Sequence, residues 1–357
     1  MIRRNLLAGL CGLAGASVFG AGALRAQTAD DISNLGDVWR AWKAAHLAST
    51  GRVIDRLQQN SSHSEGQGYG LLLAAVMGDA RSFEQMETWT RVNLTLRADT
   101  LMAWRWLPDT PERVPDLNNT SDGDLFRAWA LMKAADAFGV AEYRDRAAAI
   151  VADLVASCIV ARPDRIGMML MLPAAQGFQT DEGFIYNPSY AMPLAMMELA
   201  NAFDAPELAS AADGAVQLMR DLASGGVVPD WVLLTPSGPR AAEGFSFDAG
   251  YEAVRAPLYL VWSDMASHPA VARYAQAQAN LPPGLAATVI SRQSGGVLAT
   301  DGAAGYNAVA ALTACAASDQ IGSRIPPFAP TDPYYPATLH LFALLAQMHA
   351  EPRCLPL

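Results

Sequence analysis

Carboxylates set among glycines, amides and aromatic residues are the side chains of this sequence best suited to chemistry. The stretch SSHSEGQGYG (61–70) places Glu65 beside three glycines, directly before an apolar run that predicts a helix. Ser64 and Gln67 have the spacing of a capping box, and a first-turn glutamate suits the helix dipole. Capping does not explain the glycines, which cost about 1 kcal/mol each relative to alanine inside a helix. Glycines allow close approach to the backbone, so Glu65 is either a helix-start residue or a proton donor at a site.

A second stretch, NNTSDGDLFRAWALMKAADAFG (118–139), carries two acids before a long predicted helix. Ser121 or Asp122 could cap the first turn of this helix. Asp122 and Asp124 beside two asparagines exceed what a cap needs, which favours a functional site with Asp124 as a further candidate for contact with the substrate. A calcium loop is the other possibility, but the spaced oxygen ligands of an EF-hand are absent.

A third stretch, FSFDAGYEAVRAPLYLVW (245–262), offers Asp248, Glu252 and Arg255. On a helix, Glu252 and Arg255 would be three residues apart and could form an ordinary surface pair worth a few tenths of a kcal/mol. The apolar residues on both sides weaken the case for such a surface pair.

Aromatic residues recur in segments with the composition of loops or helix starts. Their flat faces can stack on sugar rings, whose axial C–H groups form an apolar surface, although core packing is the commoner use of any one of them. Together with the acids and amides they suggest a carbohydrate cleft. The aromatic candidates for sugar contact are Tyr69, Trp104, Trp106, Tyr190, Tyr251, Tyr334 and Tyr335.

Several other chemistries find no support in the sequence. The five histidines show no metal-ligand spacing, and HExxH, Walker, GxGxxG and GxSxG patterns are absent. Carboxylates and aromatic residues remain. They are the equipment of glycosidic cleavage, in which one carboxylic acid protonates the leaving oxygen and one carboxylate activates water. Such a reaction needs neither metal nor cofactor.

Helical patterns dominate the chain and position these candidates. Segments rich in Ala, Leu and Met at 3.6-residue spacing predict one all-α domain of about a dozen helices, arranged as successive hairpins. Alternating strand patterns are scarce, and GGVVPDWVLL (225–234) is the best of them. The predicted helices cover 31–48, 65–77, 81–94, 122–138, 141–160, 189–203, 207–222, 252–265, 269–280, 305–317 and 336–350.

The N-terminus predicts export. Arg3 and Arg4 precede an apolar stretch of small residues and leucine, and a cleavage site falls near Ala26. The arginine pair also resembles a twin-arginine signal, so the export route stays open. The apolar run is shorter than the roughly 20 residues a membrane span needs, which makes an uncleaved anchor the lesser alternative. We expect a signal peptide over 1–26 and one periplasmic or secreted catalytic domain over 27–357.

Charge and cysteine content fit that location. The formal net charge is -10, and it becomes -13 without residues 1–26, which hold three arginines and no acids. An acidic chain is a poor partner for nucleic acid or an anionic membrane, whereas a neutral polysaccharide is compatible with it. Cys158, Cys315 and Cys354 allow at most one disulfide, so the fold must rest on its core.

Two of these stretches resemble motifs of glycoside hydrolase family 8, especially of the periplasmic endoglucanases associated with bacterial cellulose synthesis. SEGQGYG (64–70) is similar to S-E-G-x-[GS]-Y-G, whose glutamate is the general acid and falls on Glu65. SDGDLFRAWALMKAADAF (121–138) is similar to A-[ST]-D-[AG]-D-x-x-[IM]-A-x-[SA]. The first aspartate of that signature contacts the sugar at the cleavage subsite and falls on Asp122. Arg127 departs from the signature's Ile or Met.

The third stretch is similar to the family's Y-D-A-x-R-x-P motif. YEAVRAP (251–257) aligns with it, so the resemblance implies site roles for Tyr251 and Arg255. The family's general base is usually an aspartate, and this chain has Glu252 in its place. The extra methylene shifts the carboxylate by about 1 Å, which matters for a group that must hold a water. Glu252 is our preferred base, and Asp248 is the alternative.

Further matches follow in the expected order, NPSY at 187–190 and YY at 334–335, so that the motifs span nearly the whole mature chain. The resemblance implies an (α/α)6 barrel, cleavage with inversion, and a substrate contact for Tyr190. It implies an endo-β-1,4-glucanase acting on cellulose-type glucan, with components of a cellulose synthase complex as possible partners. Xylanase, lichenase or chitosanase activity is the alternative within the family, and a catalytically weak glucan-binding protein is the alternative outside it.

A proton donor at Glu65 has one electrostatic difficulty. A helix N-terminus lowers the pKa of a carboxyl group, whereas a general acid needs its pKa raised. We expect burial beside aromatic residues such as Trp104 or Tyr69, and the nearby Asp122, to overcome the dipole. We also expect the glycines around Glu65 to leave room for the glucan chain.

Overall fold

Eleven α-helices make up about half of residues 35–355, the part of the chain that a computed structural model describes. The predicted signal peptide and the first residues of the earliest predicted helix lie outside that range. The helices are α1 (Leu35–His46), α2 (Ser64–Val76), α3 (Ala80–Asn93), α4 (Ser121–Phe138), α5 (Ala141–Cys158), α6 (Pro193–Phe203), α7 (Pro206–Ser224), α8 (Arg255–Trp262), α9 (Pro269–Gln278), α10 (Ala304–Ala316) and α11 (Tyr334–Ala350).

The helices pack mainly on their sequence neighbours, as in α2 with α3, α4 with α5, α6 with α7 and α10 with α11. Helix α11 closes the ring by packing on α1 and α8. Helices α2 and α4 are buried on nearly all sides and form the centre, whereas α7 buries one face only. The all-α (α/α)6 barrel is therefore confirmed, with eleven helices in the described part of the chain.

Ten short strands lie between the helices, more than the sequence predicted. Four of them form one antiparallel sheet, in the order Gln179–Thr180, Gly183–Tyr186, Val232–Thr235 and Gly238–Arg240, and only Val232–Thr235 overlaps the predicted strand. The others are too short for an alternating pattern to stand out. The strands are β1 (Ser62–His63), β2 (Arg105–Trp106), β3 (Ile159–Ala161), β4 (Met169–Met171), β5 (Gln179–Thr180), β6 (Gly183–Tyr186), β7 (Val232–Thr235), β8 (Gly238–Arg240), β9 (Ala286–Ile290) and β10 (Val297–Asp301).

The starts of α2 and α4 cross at glycines. A Cβ on Gly68 would lie 2.7 Å from the carbonyl oxygen of Gly123, and a Cβ on Gly123 would lie 2.7 Å from the backbone nitrogen of Glu65. Gly66 faces the Tyr334 hydroxyl, and Gly70 faces the Met86 sulfur. The expectation that these glycines make room for a glucan chain is therefore wrong, because protein atoms occupy the space.

The predicted capping box at the start of α2 is also wrong. His63 is the N-cap residue, and no side chain caps the helix. The Ser64 hydroxyl hydrogen-bonds the Thr120 hydroxyl at 2.7 Å. The Gln67 amide accepts from the Val53 backbone nitrogen at 2.6 Å and donates to the Thr90 hydroxyl at 2.8 Å. Both side chains tie α2 to distant segments instead of satisfying its own first turn.

Cys315 and Cys354 form the single disulfide of the described residues and join α10 to the turn after α11. Cys158 is buried and free at the end of α5. The pairing agrees with the limit of one disulfide set by the sequence. No helix among residues 35–355 is both long and apolar enough to cross a membrane.

Arg127 lies in the middle of α4 and is buried against Glu87 of α3. Its guanidinium donates to both carboxylate oxygens of Glu87, at 2.8 and 3.1 Å, and both side chains are at most 3% exposed. Arg146 approaches the same carboxylate at 3.7 Å from a partly exposed position. A buried charge is tolerated only with such a partner, so Glu87 compensates for the arginine that replaces the signature's apolar residue.

We predict that Arg127→Met lowers the free energy of unfolding by about 3–5 kcal/mol, because it leaves the Glu87 carboxylate buried without its main partner. The double variant Arg127→Met/Glu87→Met should recover most of this loss. Urea denaturation measures both. As a matched control, Arg240→Met breaks the exposed Arg240–Glu182 pair and should cost less than about 1 kcal/mol. A double variant no more stable than the single one would contradict this account.

Candidate active site

A buried guanidinium, that of Arg255, gathers three carboxylates from separate parts of the chain. Arg255 is the first residue of α8 and is 1% exposed. Its Nη1 lies 2.5 Å from Glu65 Oε2 and 3.3 Å from Asp122 Oδ2. Its Nη2 lies 3.5 Å from Glu252 Oε2. The structure thus brings together the three acids that the sequence placed in separate motifs.

Hydroxyl groups and an aromatic ring complete the surroundings of Arg255. Nη1 also donates to the Tyr69 hydroxyl at 3.0 Å, and Nη2 donates to the Ser189 hydroxyl at 2.8 Å. The guanidinium carbon lies 5.3 Å from the centre of the Tyr190 ring. These contacts fix the guanidinium in one orientation, so Glu65 and Glu252 bind different nitrogens of the same group.

Glu65 lies in the first turn of α2, with its side chain 21% exposed. Burial raises the pKa of Glu65 to about 7, against the lowering effect of Arg255, and the charges of Asp122 and Glu252 raise it further. The Tyr334 hydroxyl is 3.5 Å from Glu65 Oε1. Burial and neighbouring acids thus outweigh the helix dipole. A carboxyl group with this pKa holds its proton at mildly acidic pH, as a general acid requires.

Asp122 lies in the first turn of α4 and is 1% exposed. Its Oδ1 accepts from the backbone nitrogen of Gly123 at 2.8 Å, while Oδ2 faces Arg255. The close crossing of α2 and α4 is what places this carboxylate beside Glu65. Asp122 is therefore in position to raise the pKa of Glu65, while its contact with a sugar stays a prediction.

Glu252 differs from its prediction in local structure. It was expected on a helix, but α8 begins at Arg255, and Glu252 lies in the turn of residues 251–254. Its side chain is 34% exposed, and its Oε2 accepts from the amide of Asn187 as well as facing Arg255. Asn187 also binds Ser189, which in turn accepts from Arg255. The sequence matched the NPSY segment but did not single out these two side chains.

Asp248, the alternative base, is turned away from this cluster. Its Oδ1 accepts from the backbone nitrogen of Arg292 at 2.9 Å, and its backbone oxygen accepts from Asp230 at 2.9 Å. The structure gives Asp248 no contact with Arg255, whereas Glu252 has one. The geometry therefore favours Glu252 over Asp248 as the partner of Glu65.

Asp124 does not reach the site. It is fully buried, and its two carboxylate oxygens accept from the backbone nitrogen of Met102 at 2.8 Å and from the Asn119 amide at 3.0 Å. The side-chain oxygen of Asn119 in turn accepts from the backbone nitrogen of Ala175. Asp124 therefore has no exposed surface for a sugar, so the predicted contact with the substrate is wrong. Its carboxylate instead ties α4 to neighbouring loops.

The tyrosine candidates lie at different depths. Tyr69 is fully buried, and its hydroxyl lies 2.7 Å from that of Tyr259. It therefore supports Arg255, and the prediction that it contacts a sugar is wrong. Tyr334 is also buried and reaches Glu65 through its hydroxyl. Tyr335 donates to the backbone oxygen of Tyr251 at 2.7 Å. Tyr251 is 47% exposed and is therefore the tyrosine of this group most open to a ligand.

The two tryptophan candidates flank the segment that leads into α2. The Trp104 ring nitrogen donates to Asp116 at 2.9 Å, and its backbone oxygen accepts from Ser64 at 3.0 Å. Trp106 pairs with Ser62 across β1 and β2 and packs edge-on against Trp89. Both tryptophans are partly exposed. Both therefore lie beside the start of the helix that carries Glu65.

A further acid, Asp230, was missed in the sequence. It lies just before β7, is 8% exposed, and accepts from the backbone nitrogens of Gly250 and Ala253, on either side of Glu252. The only signal was an acid within the apolar stretch 225–234. Among the described residues, no cluster of three or more His, Cys, Asp or Glu side chains is placed to hold a metal ion.

Known proteins match this chain over most of its length. The family model "Glycosyl hydrolases family 8" matches residues 17–349. A probable endoglucanase of Novacetimonas hansenii is 31% identical over 350 residues, which cover 95% of this chain and 97% of that protein.

Solved structures agree with that match. The endo-β-1,4-glucanase CMCax from Acetobacter xylinum has a TM-score of 0.79 at 29% identity and covers 90% of this chain and 99% of its own. The endoglucanase Cel10 from Klebsiella pneumoniae has a TM-score of 0.78 at 29% identity and covers 88% and 99%. The family model and the solved structures therefore agree.

The raised pKa of Glu65 predicts a stability cost. Folding raises this pKa from 4.5 to about 7, so the folded protein binds the proton more tightly and loses stability as pH rises from about 4.5 through 7. Glu65→Gln mimics the protonated form. It should raise the free energy of unfolding relative to wild type by up to about 3 kcal/mol at pH 8, and by much less at pH 4.5.

Urea denaturation at both pH values measures the difference. Glu207→Gln is the matched control, because Glu207 also lies in the first turn of a helix but is exposed. It should change stability little at either pH. A Glu65→Gln variant that is destabilised at pH 8 would show that the carboxylate is not held at a raised pKa.

Proposed function

Because the chain belongs to glycosyl hydrolase family 8 and is therefore a glycoside hydrolase, we propose that it is an inverting endo-β-1,4-glucanase acting on cellulose-type glucan. The observation that carries the proposal is the placement of Glu65 and Glu252 on different nitrogens of Arg255. Proteins that match most of this chain are named endoglucanase or endo-β-1,4-glucanase, which supports the same substrate class here.

Glu65 is the general acid. Its pKa of about 7 keeps the carboxyl protonated at mildly acidic pH, where it donates the proton to the leaving glycosidic oxygen. Asp122 contacts the sugar at the cleavage subsite and sustains the raised pKa through its own charge. As the proton leaves, Arg255 stabilises the carboxylate that forms, since its Nη1 is already 2.5 Å from Glu65 Oε2.

Glu252 is the general base. Arg255 favours its ionised form, and Asn187 orients the oxygen that both groups contact. The ionised carboxylate takes a proton from water as the water oxygen bonds to the anomeric carbon and the glycosidic bond breaks. Inverting pairs lie about 6.5–9.5 Å apart to leave room for that water. Because glutamate is one methylene longer than aspartate, the carboxylate of Glu252 extends farther from the turn of residues 251–254 toward that water.

Exposed aromatic residues supply the glucan contacts. Tyr251, Tyr335, Trp104 and Trp106 keep part of their side chains accessible around the acid and base, and Tyr190 packs beneath Arg255. Stacking on such faces suits neutral sugar rings. Several such contacts on one glucan chain would suit internal cleavage of a long chain.

We also propose export, with a signal peptide over residues 1–26 and a catalytic domain over 27–357 that works in the periplasm or outside the cell. The disulfide between Cys315 and Cys354 supports this, because disulfides persist in oxidising compartments. The β-glucan chain is the substrate, and components of a cellulose synthase complex are the proposed protein partners.

We predict that Glu65→Gln lowers kcat on carboxymethylcellulose by roughly 10²- to 10⁴-fold with little loss of glucan binding, because the amide keeps the shape but cannot donate the proton. A reducing-sugar assay on carboxymethylcellulose, xylan and chitosan measures activity and specificity. Near-full activity of the variant would refute the assignment of the acid. Binding without hydrolysis by the wild-type protein would favour a glucan-binding protein.

We predict that Glu252→Ala loses far more activity than Asp248→Ala, because only Glu252 contacts Arg255. The expected loss for Glu252→Ala is at least about 100-fold in kcat. Both variants are compared in the same assay after their folding is checked by circular dichroism. A dead Asp248 variant beside a merely slow Glu252 variant would exchange the two roles.

A further inference from the structure

The backbone on both sides of Glu252 is bound by one carboxyl group, that of Asp230. Asp230 Oδ1 accepts from the backbone nitrogen of Gly250 at 2.9 Å and from that of Ala253 at 2.8 Å. These two donors bracket Glu252 in the chain. Asp230 itself is anchored, because its backbone nitrogen donates to Asp248 and β7 begins two residues later.

We propose that Asp230 is a positioning residue for the general base, holding the turn of residues 251–254 so that Glu252 reaches its water. This inference rests on the proposed function of Glu252. The base lies in a turn and not on a helix, so its backbone is not fixed by helical hydrogen bonds. A displacement of about 1 Å at such a group can cost about 100-fold in rate.

The fit between Asp230 and the turn requires Gly250. A Cβ at position 250 would lie 2.4 Å from Asp230 Oδ2, inside contact distance. The backbone of Gly250 is not in the left-handed region, so an alanine would be resisted by the carboxyl group and not by its own conformation. The glycine therefore lets the carboxyl come close enough to accept from both nitrogens.

At mildly acidic pH, Asp230 performs this role mostly as an uncharged acid. Burial raises the pKa of Asp230 to about 7, with the charge of Glu252 adding to the rise and the two backbone donors and Arg255 opposing it. Glu252 and Arg255 are the charged side chains that act on this group. A neutral Asp230 accepts two hydrogen bonds without placing a second negative charge beside the base, and an asparagine can do the same.

The test compares Asp230→Ala and Asp230→Asn in kcat and KM on a soluble cello-oligosaccharide. Asp230→Ala should lower kcat at least about 100-fold with KM within about threefold of wild type, because the sugar contacts remain. Asp230→Asn should keep kcat within about threefold. Asp153→Asn is the control: Asp153 also accepts from a backbone nitrogen, that of Thr100 at 2.8 Å, and it should leave both constants unchanged.

Two results would overturn the proposal: a kcat for Asp230→Ala within about tenfold of wild type, or a kcat for Asp230→Asn as low as that of Asp230→Ala. If Asp230→Ala does not fold, Gly250→Ala decides. Loss of at least about tenfold in its kcat supports the proposal, and a wild-type kcat overturns it. Glu252→Ala, measured in parallel, separates the failures, because wild-type activity there refutes the base itself.

Discussion

The site depends on a single buried positive charge that several acids must share. A guanidinium as buried as that of Arg255 is tolerated only with partners, and here they come from α2, α4 and the turn before α8. One guanidinium cannot neutralise three carboxylates in a buried site, so the carboxyl group whose ionisation is least favourable keeps its proton. That group is Glu65, whose pKa is raised to about 7. The proton needed for cleavage is therefore a consequence of charge and burial.

Backbone proximity makes this sharing possible. Glu65 and Asp122 meet at one nitrogen of Arg255 because Gly68 and Gly123 let the starts of α2 and α4 come into contact. Larger residues would separate the helices and the two carboxylates with them. The same helices are buried on nearly all sides, so the barrel core holds Glu65 rigidly. Glu252, the proposed base, has no such support, since it lies in a turn held by side chains.

Much of the fold could be predicted because helical periodicity is a local signal, and the observed helices begin and end within a few residues of their predicted bounds. The three acids on Arg255 were found through motif spacing. What failed was non-local. Ser64 and Gln67 form the spacing of a capping box but bond to distant segments. Asp124 resembles Asp122 in sequence yet points into the core, and nothing local in the sequence distinguishes Asp230 from an ordinary strand acid.

The identity of the anomer first released from a β-linked cello-oligosaccharide is the most direct test of the account. It tests whether a protonated Glu65 acts opposite a water-activating Glu252. Proton NMR of the new reducing end, recorded within minutes and before mutarotation, reads it. If water attacks from the face opposite the leaving group, the first product is the α-anomer. An initial β-anomer would contradict the account, because Glu252 would then bond to the sugar itself as a nucleophile.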